Sequence, residues 1–502
     1  MKRLLTSAQM KFCDERQING GTPSITLMER AASAVYDALL RWFDTSRTLV
    51  VCGGGNNGCD GLICASLLHR DGKDCRIVSL APPEKQNSQF KRLLQKCAEE
   101  GIEIYNEVRC EGCTAVVDAL FGTGLTREPV GVYAEAIRMV NASGIPVLAV
   151  DMPSGVSADT GIVPGAAMRA EMTVSMAAFK RGQAMNPEGI NCCGKVICAD
   201  IGIDTEGFEP EDDGISPFVI DKEDMSLLLP RNACSNKGDF GRVLVVAGSR
   251  GMCGAAFLSA LAAYRCGAGI VEIFTPECNR IPLQTLLPEA VVTAYSGQLP
   301  DVEMLRSSLM KARCAVVGPG LSTDSAARVT VRECFRQSAV PIICDADALN
   351  VCAADSLAFP TDVPVIVTPH PGELSRLSDL TVANILDNPF ESARNYAAEN
   401  GVVCVSKLSR TVISDGREVF VNIAGSPALS KGGSGDALTG VIAGMLCQGL
   451  SPMGAACLGV YIHSIAGEKL QREQGIYSPL ARELADACGS VLADINNFYF
   501  MK

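Results

Sequence analysis

The chain is poor in aromatic residues: they make up 5% of its 502 positions, and Trp42 is the sole tryptophan. Its cores must therefore be built from Ala, Val, Ile, Leu and Met. Positive charge is also short, with Lys+Arg 44 against Asp+Glu 56 and a formal net charge of -12. A duplex-binding protein carries a basic face, so nucleic acid is excluded as a partner. An anionic small molecule would have to be held by local devices: helix N-termini, Gly-rich loops and a few placed lysines. Long apolar runs are missing. The most weakly charged stretch, residues 251–274, is interrupted by Arg265 and by glycines, which rules out a membrane span there. The first seven residues are basic but lead into no apolar segment of the secretory type, so a cytoplasmic protein is expected. Zinc spacing is absent too. The one Cys-x-x-Cys, Cys110 to Cys113, has no second pair and reads as two ordinary thiols. No Gly-x-x-x-x-Gly-Lys-Ser/Thr loop occurs.

What is present is ordinary globular material, 47% hydrophobic and 20% charged. The 48 glycines imply many tight turns, and the 23 cysteines read as reduced thiols. Short apolar runs alternate with helical stretches, the βαβ rhythm of a parallel sheet covered on both faces. Strands are expected at residues 48–52, 76–80, 115–119, 146–150 and 172–176, with helices at 7–19, 25–43, 62–69 and 133–142. The rhythm loosens over residues 204–224, where an acidic, turn-rich run reads as a linker. It then resumes with strands at 242–247, 314–318, 341–345, 364–368 and 402–406 and helices at 254–265, 326–337 and 437–448. Two α/β domains are expected, residues 1–212 and 213–502.

Three loops at strand ends mark the N-terminal half. Gly53-Gly54-Gly55-Asn56-Asn57-Gly58-Cys59-Asp60-Gly61 follows the first strand and opens a helix. Asp118 ends the third strand and leads into Gly122-Thr123-Gly124; Asp151 ends the fourth and leads into Pro153-Ser154-Gly155. Ligands of open parallel sheets bind outside the carboxyl ends of the strands, where these loops converge. Either aspartate alone could be a turn or helix cap.

These residues resemble the NAD(P)H-hydrate epimerase domain. The resemblance implies a Rossmann-like sheet and a potassium ion held by Asn57, Asp118 and Ser154. It implies Asp151 as acid/base and Lys180, after the strand at 172–176, as the active-site lysine. Substrate contacts would come from Asn56, Asn57, Gly58, Cys59, Asp60 and Asp151, and from Gly122, Thr123, Gly124, Leu125, Thr126, Arg127 and Glu128. Cys59 departs from the glycine usual in that family.

In the C-terminal half Gly432-Gly433-Ser434-Gly435-Asp436 precedes a helix. Small residues let backbone N–H groups point at an anion, the helix dipole adds to them, and Asp436 can take a proton from an attacking hydroxyl. Gly-Gly-x-Gly-Asp before a helix is the mark of a ribokinase-like kinase; the plainer alternative is a helix cap. Gly318-Pro319-Gly320, Asp345-Ala346-Asp347 and His370-Pro371-Gly372-Glu373 end further strands, and Lys407 follows another. Together these resemble the ADP-dependent NAD(P)H-hydrate dehydratase domain, from about residue 225 to the end. The resemblance implies hydrate contacts at Ala255, Gly320, His370 and Asp436. It implies nucleotide contacts at Lys407, Leu408, Ser409, Arg410 and Thr411 and at Gly432, Gly433, Ser434 and Gly435, with ADP as co-substrate and Mg2+ at its phosphates. Asn236 and Leu408 depart from that family's usual histidine and glycine.

The two resemblances imply a bifunctional enzyme acting on NADHX and NADPHX, the hydrated forms of NADH and NADPH, with a homo-oligomer expected. One half would interconvert the R and S epimers, and the other would dehydrate the S form. The competing reading is a sugar or vitamin kinase fused to a nucleotide-binding module.

Overall fold

The computed structural model describes residues 2–125, 127–207, 214–228, 231–232 and 234–500, the side chains of 495–500 excepted. It divides into two compact units, Lys2–Ser216 and Pro217–Lys502.

In the first unit β1 (Lys2–Leu5) is followed by β2 (Arg47–Cys52), β3 (Asp74–Ser79), β4 (Glu103–Tyr105), β5 (Ala115–Ala119), β6 (Val147–Val150), β7 (Met172–Met176), β8 (Phe179–Lys180) and β9 (Lys195–Ala199). Seven of these form a parallel sheet in the order β4-β3-β2-β5-β6-β7-β9. β1 pairs separately with β8, setting Leu5 beside Lys180. Side chains alternate across a strand, so a strand buried on both sides must be apolar at every position. From Leu49 to Cys52 β2 obeys this: Leu49 and Val51 enter one core with Ile137 and Val140, while Val50 and Cys52 enter the other with Leu39 and Leu62. The chain runs outward from β2 to β3 on one side and returns to β5 on the other. That reversal opens a crevice at the carboxyl ends of β2 and β5.

The second unit holds β10 (Phe218–Val219), β11 (Arg242–Val246), β12 (Ile270–Pro276), β13 (Val291–Tyr295), β14 (Cys314–Val317), β15 (Ile342–Cys344), β16 (Val365–Val367), β17 (Val403–Ser406), β18 (Val412–Ser414) and β19 (Val419–Val421). Their order is β13-β12-β11-β14-β15-β16-β17-β18-β19-β10, and the strand sequence again reverses at β11. Helices Cys253–Arg265, Ser434–Cys447 and Pro452–Gln474 pack on one face of this sheet. Two of them nearly touch: a Cβ added at Gly440 would lie 2.1 Å from the Ser259 carbonyl oxygen.

Four sequence expectations need correction. The sheet of the second unit is not wholly parallel, because β18 runs antiparallel to both β17 and β19. The supposed linker is ordered at its end, where β10 pairs with β19 and Asp221 caps a 3-10 turn, Lys222–Leu227. The first-strand loop is shorter than expected, since the helix starts at Asn56 and carries Asn56 to Asp60 on its opening turns. The helix after the second glycine run likewise starts at Ser434, not 437. The expected boundary at residue 212 lies outside the described residues. Among the described residues no helix is long and apolar enough to cross a membrane.

Candidate active sites

In the first unit, the turn after β2 is fixed by close approach. A Cβ on Gly58 would meet the Gly53 carbonyl oxygen at 2.0 Å, so no side chain fits. That contact docks the start of helix Asn56–Arg70 over the β2–β5 crevice. Asp118, the fourth residue of β5, is fully buried. Its carboxylate accepts from Ser154 Oγ (2.6 Å), Ser154 N (2.7 Å) and Leu120 N (3.3 Å). No cation among the described residues pairs with it, and burial pushes its carboxyl up to about 6 despite those hydrogen bonds. The Asn57 side chain reaches the same place: its Oδ1 is 3.1 Å from where a Gly122 Cβ would stand, and its Nδ2 is buried without a partner. A buried carboxylate lacking a counter-charge, the serine hydroxyl held on it and the amide oxygen of Asn57 are oxygen donors of the kind a hard monovalent cation takes. The structure thus joins Asp118 to Ser154 and sets the Asn57 side chain beside Gly122.

Asp151 sits just past β6 with φ 67°, a left-handed conformation uncommon outside glycine and characteristic of strained functional positions. Its Oδ1 accepts from Met176 N (3.0 Å) and from the ammonium of Lys180. Lys180 is wholly buried. Besides Asp151, its Nζ donates to Met176 O (2.9 Å), Ala178 O (3.0 Å) and Ser175 Oγ (3.2 Å). An ammonium has three N–H donors; here four oxygens claim them. Gln183 completes the clamp, accepting from Lys180 N at 3.0 Å and donating to Asp151 O at 3.1 Å.

Two more carboxyls share this space. Asp60 has an Oδ1 buried without a partner, and burial followed by the charges of Asp151 and Asp14 raises its carboxyl well above the usual range. Asp14, from helix Ser7–Asn19, is pushed up to about 6 by burial, with Lys180 opposing and Asp151 adding to the shift. Cys59 points away from the crevice. It is fully buried, 4.0 Å from Asn87 Oδ1, and burial drives its thiol up to about 12. The departure from glycine at this position therefore adds no nucleophile. Thr126 lies outside the described residues; of its neighbours, Glu128 lies over Gly165 and Gly124 and Arg127 are exposed.

In the second unit Gly433 is the N-cap of helix Ser434–Cys447 with φ 94°, and a Cβ there would strike Leu258 at 2.5 Å. The first N–H groups of the helix have no intrahelical partners and face the crevice that an anion would enter. Asp436 stands on that first turn. Burial first, then Asp345, pushes its carboxyl up to about 6, and Lys407 partly opposes the shift. Lys407 Nζ lies 2.6 Å from Asp345 Oδ1 and 3.8 Å from Glu373 Oε2, yet its side chain keeps 22% exposure. Burial pulls this ammonium down, but Asp345 and Glu373 carry it above its ordinary value. Thr368 Oγ1 donates to Asp345 at 2.7 Å and so holds the pair in place. A Cβ on Gly435 would stand 3.5 Å from Lys407 Nζ. Gly320 lies against Ala255, with 2.9 Å between its added Cβ and that of Ala255.

Other expected site residues are partly committed to structure. His370 caps helix Pro371–Leu377 through Nδ1, which accepts from Gly372 N at 3.0 Å, leaving Nε2 beside Glu373. Arg410 is buried and donates to the Ile423 carbonyl. Leu408, Ser409 and Thr411 lie with it between β17 and β18. Cys110 and Cys113 are free thiols, and among the described residues no three metal-ligating side chains gather round one point.

Sequence reasoning gave no role to Asp14, Gln183 or His463. Asp14 is one acid in a helix of mixed polarity and carries no local signal. Gln183 follows Lys180 by three residues, a spacing that means nothing until the chain turns. His463 hydrogen-bonds the Ser434 carbonyl at 3.0 Å from a helix far along the chain. The charges of Asp345 and Glu373 were legible only as parts of strand-end motifs.

The comparisons with known proteins follow the same division. A family model described as NAD(P)H-hydrate dehydratase matches residues 243–489, and one described as YjeF-related protein N-terminus matches residues 24–182. The bifunctional NAD(P)H-hydrate repair enzyme Nnr of Moorella thermoacetica is 36% identical over 98% of this chain and 97% of its own length. Its counterpart in Escherichia coli is 33% identical over 91% of this chain and 87% of its own. The crystal structure of the ADP/ATP-dependent NAD(P)H-hydrate dehydratase from Bacillus subtilis, co-crystallized with ATP/Mg2+, superposes with a TM-score of 0.50 at 33% identity. It covers 56% of this chain and 98% of that one.

Proposed function

The chain belongs to the bifunctional NAD(P)H-hydrate repair enzymes, and from that premise we propose how its residues divide the work. It is an epimerase and an ADP-dependent dehydratase in one polypeptide. The R and S forms of NADHX and NADPHX are interconverted, and the S form is dehydrated to NAD(P)H. We assign the first activity to residues 1–212 and the second to 213–502, in a cytoplasmic homo-oligomer.

In the N-terminal half Asp151 exchanges protons as the C6 hydroxyl leaves and re-adds. Lys180 and Gln183 hold its carboxylate and carbonyl, so that its second oxygen is presented in one direction. Asn57, Asp118 and Ser154 hold potassium. When bound, that ion supplies the positive charge that the buried Asp118 lacks and draws the loops and the substrate phosphate together. The helix start at Asn56 to Asp60 and the segment from Gly122 to Glu128, Thr126 included, receive the substrate.

In the C-terminal half Asp436 takes the proton of the S-form hydroxyl as that oxygen attacks the terminal phosphoryl group of ADP. The first-turn N–H groups after Gly432 and Gly433 receive the charge that develops on the phosphoryl oxygens. Lys407 has enough exposure to turn from Asp345 toward the diphosphate. Ala255, Gly320 and His370 line the hydrate side, and the segment from Lys407 to Thr411 lines the nucleotide side. Asp345 and Glu373 set two carboxylates beside one ammonium, and the charge of Asp436 also reaches it. That surplus of negative charge suits Mg2+ shared with a diphosphate, an ion that binds through one or two carboxylates and substrate phosphates. When bound it neutralises charge between nucleotide and protein. Elimination of phosphate from the phosphorylated hydrate then restores the dihydropyridine ring, with AMP as the second product.

The observation that carries this reading is the pairing of two complete constellations in one chain. One is an aspartate locked by a buried lysine beside a cation-ready carboxylate; the other is an aspartate on a phosphate-binding helix start. A sugar or vitamin kinase would need only the second. The test is to incubate the protein with mixed NADPHX epimers and either ADP or ATP, and to follow NADPH. Full recovery with ADP, faster than with ATP, is expected. Equal or better recovery with ATP would overturn the donor assignment, and recovery of the S fraction alone would overturn the epimerase.

A further inference from the structure

The geometry points to a second ligand site in the C-terminal unit, a cavity for a small organic phosphate at the end of the sheet opposite the dehydratase crevice. That crevice gathers Gly248, Gly320, Asp345 and Lys407, which follow β11, β14, β15 and β17. The cavity lies where the first three of these strands begin. It measures about 550 Å³ and is lined by Arg242, the first residue of β11, and Ile270, the first of β12. Lys311, Ala312 and Arg313, which lead into β14, and Val340, just before β15, complete the wall. A strand rises about 3.3 Å per residue, so roughly 20 Å of chain separate Arg242 from Gly248. The volume falls within the range of small-molecule sites, about 300–1,000 Å³.

Three of the lining side chains are cations and none is acidic. Arg242 Nη1 donates to Glu272 Oε2 at 2.5 Å. Glu272 is almost wholly buried, and its other oxygen accepts from Ser308 Oγ at 2.6 Å and Thr293 Oγ1 at 2.8 Å. That carboxylate is used up inside the protein. A guanidinium has five N–H donors, of which this bond takes one. Arg313 is tied to Arg242 through the backbone, its N donating to Arg242 O at 2.7 Å. Its stem lies on Gly241, where an added Cβ would stand 2.5 Å from Arg313 Cδ. Its Nη1 donates to the Asp239 carbonyl at 3.3 Å, while the Asp239 carboxylate accepts from Asn236 N at 2.8 Å within its own turn. Among the described residues neither Arg313 nor Lys311 forms an ion pair.

A structural brace accounts for Arg242 and Glu272 but not for the other two cations. Three positive charges face one hollow, answered by a single carboxylate that is already shared, in a chain whose net charge is -12. A dianion balances Lys311 and Arg313, and the fork of a guanidinium matches phosphate oxygens. The rest of the wall, Ile270, Ala312 and Val340, is apolar and half-buried, so it receives carbon rather than further charge. The ligand class is therefore a phosphate monoester with a compact apolar or ring portion. Binding makes and breaks no covalent bond, and none of these residues belongs to the dehydratase machinery.

The test is calorimetric titration of the full chain with phenyl phosphate, inorganic phosphate and phenol, beside dehydration kinetics. The parent should bind phenyl phosphate more tightly than either fragment. In the Lys311→Gln/Arg313→Gln variant this affinity should fall roughly tenfold or more for each lost charged contact, while kcat and the KM for ADP stay at parent values. Lys311→Gln alone, at an exposed side chain, gives the same reading with one contact should the double variant fold poorly. A variant that binds phenyl phosphate as the parent does overturns the site. So does a parent that binds none of the three probes, or one whose bound phenyl phosphate is displaced by ADP and survives the double substitution, since that binding belongs to the crevice. Inorganic phosphate or phenol binding as tightly as phenyl phosphate overturns the ligand class.

Discussion

Lys407 and Asp345 stand 2.6 Å apart, nitrogen to oxygen, and Glu373 lies 3.8 Å from the same nitrogen on another side. One ammonium therefore balances two carboxylates that are themselves almost wholly buried. Removing one partner of such a group leaves uncompensated charge behind, typically at 3–5 kcal/mol for a buried pair. Lys407→Met should lower stability by roughly the lower end of that range, because the lysine keeps some solvent. Lys407→Met combined with Asp345→Asn should recover part of the loss. Urea unfolding of the single and double variants measures both, and additive losses would show that the two residues do not depend on each other.

The two active sites should fail separately. Asp436→Asn keeps size and hydrogen bonding but loses the proton acceptor, so dehydration of the S form should fall by roughly 10²–10⁴-fold while epimerisation is untouched. Asp151→Asn should do the reverse, and Asn tolerates the left-handed backbone at φ 67° as well as Asp does. Given mixed epimers and ADP, the Asp151→Asn enzyme should stall once the S form is consumed. NADPH recovered against time distinguishes the variants; an Asp151→Asn enzyme that clears both epimers at the parent rate would refute the assignment.

Potassium should stabilise the N-terminal unit. A cation that binds only the folded state raises stability by RT ln(1 + [L]/Kd), about 2.7 kcal/mol at one hundred times Kd. Melting curves in potassium and in a bulky organic cation, at equal ionic strength, should differ for the parent and coincide for Asp118→Asn. Equal melting temperatures for the parent in both salts would remove the ion from Asn57, Asp118 and Ser154.

His463 should make the C-terminal unit sensitive to mild acid. The buried ring hydrogen-bonds the Ser434 carbonyl at 3.0 Å, and burial lowers its pKa to about 4 from 6.5. The carbonyl can only accept, so Nε2 carries the proton of a neutral imidazole. With the folded value below the unfolded one, the unfolded state binds protons first. The histidine's contribution is intact above pH 6.5 and is lost progressively as pH falls toward 4, about 3 kcal/mol over the whole interval. The stability difference between the parent and His463→Gln, taken at several pH values by denaturant titration, should narrow across that window. A constant difference would mean that the ring does not titrate there.

What could be read from residues alone follows from how each signal is encoded. The strands expected at 146–150 and 314–318 appear, as Val147–Val150 and Cys314–Val317, because a strand buried on both faces leaves a continuous apolar stretch. Strands β18 and β19 escaped: each is three residues long and no helix separates them to keep the βα rhythm. Helix starts at Asn56 and Ser434 were placed late because glycines, poor helix formers, occupy their first turns. Asp118, Asp151 and Asp436 stood out as acids at strand or helix ends. The clamp on Lys180 did not, because it joins the loop after β6 to the turn between β7 and β8, which only folding brings together.

The cysteines have a practical consequence. Of the described thiols only Cys234 and Cys278 are exposed, and most of the rest are sealed in the two sets of cores. Burial drives many of these well up, Cys59 to about 12 and Cys352 to about 12, where almost no thiolate forms at neutral pH. A thiol-reactive dye added to the native protein should label those two surface positions and then stop. Further labelling would report opening of the interior, and because cysteines lie in both units, mass mapping of the newly labelled peptides would reveal which unit opened first. The chain thus carries its own site-resolved gauge of unfolding, with two ready attachment points for probes that disturb neither active site.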